Sequence, residues 1–249
     1  MTVPKENTMH CFYLKAKAWG ERVQLEGDEA HHVRVLRIKP GEEILLLDGE
    51  GRIGHFRVEA IEKRTVVAVH IKSTTYEKPA SAPIIALALS HAVRRSFFME
   101  KAVELGAGSV WLWQGDMSQE KIGPDTEDGI YRRMTAGAKQ CQNPWIPNLR
   151  SFPEGLASLL PETKAIENRI LPWELAKTSS LITLDILRRP GKTVYVIGPE
   201  GGFSERELAL LSEYDFLRIS LGARILRCET AATLCLGLHW WASHFEEQA

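Results

Sequence analysis

The 249-residue chain lacks several fingerprints, and each absence removes a class of function. No G-x-G-x-x-G follows a strand-like run, and no G-x-x-x-x-G-K-[ST] occurs anywhere, so dinucleotide and P-loop nucleotide binding are without their motifs. Its cysteines, Cys11, Cys141, Cys228 and Cys235, show no C-x-x-C spacing, which argues against a zinc knuckle or a dithiol redox pair. They read as free thiols of a reducing compartment. Positive charge is not in excess. Lys and Arg number 31 against 32 Asp and Glu, a formal net charge of −1, so any nucleic-acid contact must come from a local basic patch. No apolar stretch approaches the ~18 residues of a membrane span. The start, MTVPKENTMH, has no apolar core of the kind a signal peptide needs. The expectation is a cytoplasmic protein with no membrane partner. Internal repeats and low-complexity tracts are absent as well.

What remains is ordinary globular composition, 44% hydrophobic and 25% charged, enough for one large domain or two modest ones. The chain changes character near its first third. Short strand-like runs at Cys11–Leu14, Arg22–Leu25, Glu43–Asp48, Ile53–Ile61 and Thr65–Ile71, with a helix at Asp28–Leu36, suggest a small β-barrel over residues 1–76. Residues 77–83, with two prolines among small residues, read as a linker. From 84 to 249 strands alternate with helices: strands at Ile84–Leu89, Val110–Trp113 and Arg169–Leu171, and helices at Ser96–Leu105, Asp128–Gln140 and Ser180–Leu187. That alternation predicts a largely parallel sheet covered on both faces, an α/β fold.

The most informative segment is Thr193–Ala232. Two apolar runs, Val194–Ile197 and Leu217–Leu221, each empty into a glycine-bearing loop: Gly198-Pro199-Glu200-Gly201-Gly202 and Gly222-Ala223-Arg224-Ile225-Leu226-Arg227-Cys228-Glu229. Loops leaving neighbouring strand ends build a crevice, and in open α/β sheets such crevices hold ligands. Ser204-Glu205-Arg206-Glu207 has the form of a capping box and starts a helix behind the first loop. Glu200 stands where a phosphate would lie, which disfavours an anionic ligand and suits one with a cationic centre.

IGPEGGFSERE and LGARILRCETAA together resemble the SPOUT class of S-adenosylmethionine-dependent RNA methyltransferases. Within it they are similar to the 16S rRNA (uracil-N3)-methyltransferase family. The run His31–Glu42, the turn Asp48-Gly49-Glu50-Gly51 and the helix Lys101–Gly106 resemble the same family. The resemblance implies a PUA-like RNA-binding barrel followed by a SPOUT domain whose sheet carries a deep trefoil knot. It implies S-adenosylmethionine as methyl donor, no metal, 16S rRNA or the small ribosomal subunit as partner, and a homodimer. It departs at two points: Met117 and Asn143 stand where the family carries arginines on the substrate side of the pocket. Methylation of a different RNA site or atom, and a non-catalytic RNA-binding protein of the same fold, are the alternatives those departures leave open.

By the same resemblance, the donor site takes in Leu171, Pro172, Ile197, Gly198, Glu200, Gly201, Leu221, Gly222, Ile225 and Leu226, with Trp173 and Glu174 continuing the wall from Leu171. Arg224, Arg227 and Glu229 are the polar residues of the second loop. An arginine beside a developing uridine anion stabilises it. Glu229 is either a hydrogen-bond acceptor or base, or a carboxylate placed at a helix amino terminus by the macrodipole. His32, Arg34, Arg37 and Lys39 form a basic cluster suited to phosphate, or else a solvated face, and Arg94 extends it. The apolar spacing of Leu234, Leu238, Trp241 and Phe245 on a final helix, Ala231–Phe245, predicts a dimer face.

Overall fold

The computed structural model describes residues 9–123, 126–176 and 180–244. Residues 1–8, read above for a signal sequence, and Phe245 lie outside the described residues. Two compact units emerge. The first takes the described residues up to Lys78 together with Thr135–Ile146, and the second takes the remainder.

In the first unit, strands β1 (Cys11–Tyr13), β2 (Arg22–Leu25), β3 (Glu43–Leu47), β4 (Arg52–Ile61) and β5 (Val66–Thr75) form one sheet in the order β1-β3-β4-β5-β2. The β1–β3 pair is parallel and the others are antiparallel. Register shifts at His55/Phe56 and Val58/Ala60 bend β4 and curl the sheet. Helix α1 (Gly27–Val35) buries Ala30 and Val33 against Phe12, Leu25, Ile44, Leu46, Phe56 and Val58. The Asp48–Gly51 turn is tied by the Asp48 carboxylate, which accepts the Glu50 and Arg52 amides at 2.8 and 2.9 Å. It also seats the chain returning at 144–146. Gly51 donates to the Pro144 carbonyl, and Ile146 donates to that of Gly49, each at 3.0 Å. The Trp145 ring fills the space where a Gly51 side chain would stand. Gly49 and Gly51 also have φ of 78° and 108°, so the turn and the seat both favour glycine at these positions.

The second unit contains β6 (Ile84–Ala88), α2 (Ala92–Glu104), β7 (Ser109–Trp113), the start of α3 (Thr126–Cys141), β8 (Asn148–Phe152), α4 (Leu156–Leu159), β9 (Asn168–Pro172), α5 (Leu184–Leu187), β10 (Thr193–Ile197), α6 (Glu205–Glu213), β11 (Leu217–Ile219) and α7 (Cys228–His244). Its strands pair in parallel throughout, in the order β11-β9-β10-β6-β7-β8. Central strands β6 and β10 are apolar at nearly every position because both faces are covered, and Val194–Val196 are fully buried. The chain is thus a mixed α/β protein with one curled mixed sheet and one parallel sheet. One helix is shorter than its apolar spacing suggests. Thr183 caps α5, while Ser180 and Ile182 hydrogen-bond to Ser220 at the end of β11, so only Leu184–Leu187 is helical. The order β11-β9-β10 makes the carboxyl ends of these three strands neighbours, and their loops frame one site.

Candidate functional site: a crevice at the ends of β9, β10 and β11

Around a volume of 330 Å³ stand Pro172, Trp173 and Glu174 after β9, Ile197 to Glu200 with Gly202 and Phe203 after β10, and Leu221, Gly222 and Arg224 to Cys228 after β11. Arg94 of α2 and Ala231 of α7 complete the lining. This size falls within the ~300–1,000 Å³ range of small-molecule sites.

Each wall follows from local chemistry. After β9 the Trp173 amide continues the pairing with β11 by donating to the Ile219 carbonyl at 3.0 Å, and the Arg218 guanidinium lies over its ring at 4.8 Å. After β10 the chain turns back on itself, and Phe203 folds over Gly198. A side chain at 198 would come within 2.7 Å of that ring, so any larger residue there must displace Phe203. Phe203 in turn stacks on Trp113, with centroids 6.0 Å apart and planes 15° apart. The wall ends in the expected capping box. The Ser204 hydroxyl accepts the Glu207 amide at 3.2 Å, and the Glu207 carboxylate accepts the Ser204 amide at 2.8 Å. After β11 the loop opens at Gly222, whose φ of 122° lies in the region that side chains avoid. It then runs outward through Arg224, Ile225 and Arg227, all exposed, Ile225 at 85%.

The structure therefore gathers Pro172, Ile197, Gly198, Glu200, Leu221, Gly222, Ile225 and Leu226 with Arg224 and Arg227 around one space. Three of the residues expected at the donor and catalytic site lie outside the lining. Leu171 is fully buried in the core of the sheet. Gly201 faces Met117, whose Cβ would be 2.8 Å from a side chain added there. Glu229 is buried in the first turn of α7, where its carboxylate accepts the Cys228 thiol at 3.4 Å. Burial, aided by the nearby Glu200 and Glu229 carboxylates, pushes the Cys228 thiol up to about 11, which keeps it protonated and non-nucleophilic at neutral pH. Phe203 and Ala231 line the crevice without having been singled out in the sequence. An aromatic residue directly after a glycine pair is the one signal that pointed to Phe203.

Charge is unevenly placed. Glu200 receives Arg94 at 3.0 Å, so this acidic group and Arg94 neutralise each other inside the lining. Arg224 and Arg227 put positive charge at the second loop. Arg94 thus belongs to the crevice. In the first unit, the other residues of the basic cluster divide by environment. His32 packs edge-on against Phe12 with centroids 5.3 Å apart, and desolvation holds its pKa below the ordinary imidazole value, so it is an uncharged ring at neutral pH. Arg34 donates to the Glu62 carbonyl at 3.3 Å, while Arg37 and Lys39 are exposed on the turn after α1.

Among the described residues no group of three or more His, Cys, Asp or Glu side chains could hold a metal, and no helix is long and apolar enough to cross a membrane. A profile of RNA methyltransferase domains matches residues 77–240, and one of RNA methyltransferase PUA domains matches residues 25–69. The chain is 28% identical over 209 residues to the ribosomal RNA small subunit methyltransferase E of Mesomycoplasma hyopneumoniae, covering 83% of this chain and 88% of that one. It is 29% identical over 230 residues to the Aquifex aeolicus protein of the same name, covering 90% and 95%. A Legionella pneumophila methyltransferase solved with bound S-adenosylmethionine superposes with a TM-score of 0.82 at 28% identity, over 94% of this chain and 98% of that one. By its crevice-bearing region and its PUA segment alike, this chain belongs to the RNA methyltransferase domain family.

Proposed function

We propose that this protein is an S-adenosylmethionine-dependent methyltransferase acting on N3 of a uridine in 16S ribosomal RNA. One observation carries the reading. A crevice with an apolar wall and arginines on one loop lies wholly within the segment matched by the RNA methyltransferase profile.

The donor suits this lining. Ile197, Leu221 and Leu226 offer apolar contact to a purine, the backbone at Gly222 is open to close approach, and the carboxylate of Glu174 suits a cationic centre. When bound, the sulfonium supplies an electrophilic methyl group. The protein's own work is then orientation and charge. Uridine N3 carries a weakly acidic imide proton that must leave before the nitrogen can attack. Arg224 and Arg227 favour its loss by the opposite-charge effect on acidity, and stabilise the anion as preorganised positive charge. Glu229 is buried in the first turn of α7, where its carboxylate accepts the Cys228 thiol.

Three further readings belong with this proposal. Residues 1–76 act as a PUA-like barrel that takes RNA phosphates through Arg37 and Lys39, joined by the linker 77–83 to a SPOUT domain, 84–249, with a trefoil knot. The protein works in the cytoplasm. It is a homodimer through α7: Cys235, Leu236, His239 and Ala242 are buried, whereas Leu234, Trp240 and Trp241 are exposed, and α2, which packs on α7, exposes Val93 and Phe97. An apolar surface of that kind is a candidate for a two-fold contact.

Calorimetry with S-adenosylmethionine in the presence of a chelator tests the donor, and transfer of labelled methyl to small ribosomal subunits tests the acceptor. Saturable donor binding and label recovered as 3-methyluridine are expected. Absence of binding heat, or label on another atom, contradicts the reading.

A further inference from the structure

The turn after β7, Gly115-Asp116-Met117-Ser118, lines no part of the crevice, yet it is joined to the first loop by contacts from both sides. The Asp116 amide donates to Glu207 Oε1 at 2.8 Å, while Oε2 of the same carboxylate takes the Ser204 amide. Glu207 is 2% exposed, so these two amides satisfy a carboxylate that burial would otherwise penalise. The Asp116 side chain reaches back in turn. It accepts the Ser204 hydroxyl at 2.6 Å and the Arg206 guanidinium through two nitrogens at 2.6 and 3.3 Å.

Shape repeats what the hydrogen bonds do. A side chain at Gly115 would meet the Pro199 ring at 3.0 Å, and one at Gly201 would meet Met117 Cβ at 2.8 Å and its carbonyl at 3.1 Å. Each segment thus lacks a side chain where the other places one. This contact accounts for the absence of a side chain at Gly201. The first loop supplies Pro199, Gly202 and Phe203 to the crevice, so whatever fixes this loop fixes that wall.

We propose that the Gly115–Met117 turn is a clasp that holds the loop between β10 and α6 in its ligand-binding shape, with Asp116 as a positioning residue and the Gly201–Met117 contact as its steric half. The clasp acts on the site read above as the donor site and rests on that reading for its effect on methyl transfer. Its effect on the loop itself does not depend on the donor.

The test therefore measures both on the full-length protein. Amide exchange by mass spectrometry is followed over residues 198–203 without ligand, with β6 as internal reference, and S-adenosylmethionine binding is followed by calorimetry. Asp116→Ala and Gly201→Ala should each raise loop exchange and weaken donor binding by about tenfold, the size of losing one charge-assisted hydrogen bond or of a modest steric conflict. β6 exchange should stay near the parent value, the melting temperature of the ligand-free protein should fall by only about 1–2 °C, and donor KM should rise with kcat nearly unchanged. Adding Met117→Gly to Gly201→Ala removes the opposing Cβ, though not the backbone carbonyl, and should recover part of both losses. Arg206→Ala supplies a milder variant if Asp116→Ala fails to fold. Loop exchange that is unchanged in these variants overturns the clasp, as does a Gly201→Ala defect that Met117→Gly leaves in place. Failure of the parent to bind donor overturns the donor reading instead, and loop exchange still decides the clasp.

Discussion

The two loops that face each other across the crevice are built in opposite ways. The first, residues 198–203, is tied to its neighbours although Glu200 and Gly201 are exposed: Phe203 lies over Gly198, Met117 on Gly201, and the Ser204–Glu207 capping box closes its end. The second, residues 221–227, sits in solvent, with Gly222 at a φ of 122° and Ile225 at 85% exposure. One wall is fixed before any ligand arrives, and the other carries the arginines on an open segment. Donor affinity should therefore depend on steric fit in the first loop, whereas turnover should depend on charge in the second.

The largest expected effect sharpens that division at the second loop. Arg227→Ala should lower kcat by about 100-fold or more, the scale of losing one preorganised stabiliser of an anion, while donor affinity changes little. Calorimetry and single-turnover methyl transfer on the same preparation separate the two quantities. A variant that loses donor binding instead would merge the roles of the two loops.

Next comes the first loop. Gly198→Val drives a branched side chain into the Phe203 ring, and overpacking of about 1–3 kcal/mol corresponds to a loss of donor affinity of about tenfold to 100-fold. Gly222→Ala is the matched comparison. Nothing stands within 4 Å of its added Cβ, so only the backbone conformation resists, and a loss of about fivefold to tenfold is expected. If the two variants behave alike in calorimetry, the loops do not differ in the way their packing indicates.

What could be read from the residues alone was what is local. Ser204 and Glu207 cap α6 because a capping box lies within four residues, and the glycine loops after β10 and β11 were visible because each ends an apolar strand. Contacts made across the chain were not visible. Resemblance places Gly201 in the donor site, and only its distance to Met117 shows what occupies that side. Edge strand β8, Asn-Leu-Arg-Ser-Phe, escaped notice because it mixes exposed polar and half-buried residues without a long apolar run. Nothing in the composition of Thr135–Ile146 marks its association with the first unit. That follows from pairing with the Asp48–Gly51 turn and from the Lys139–Glu29 ion pair at 2.6 Å. Glu229 sits beside two arginines in sequence, yet α7 turns it inward, because consecutive helix positions point in different directions.

The smallest expected effect concerns pH and the clasp. Hydrogen bonds from Arg206 and Ser204 hold the Asp116 carboxyl below the usual carboxylate range. A carboxylate whose folded pKa is depressed adds stability above its unfolded value of about 4, and that stability is lost as pH falls through the folded value. Asp116→Asn should therefore lower the melting temperature by about 1–2 °C at neutral pH, since the pair is partly exposed. The difference should shrink below about pH 4. A difference that grows on acidification would contradict the assigned pairing.

The most direct test of the central claim is mass mapping of methylated nucleosides in 16S rRNA from cells with the parent gene, without it, and with the Arg227→Ala form. Loss of a single 3-methyluridine on deletion, regained with the parent gene and not with Arg227→Ala, is the expected result. An unchanged 3-methyluridine content after deletion would contradict it.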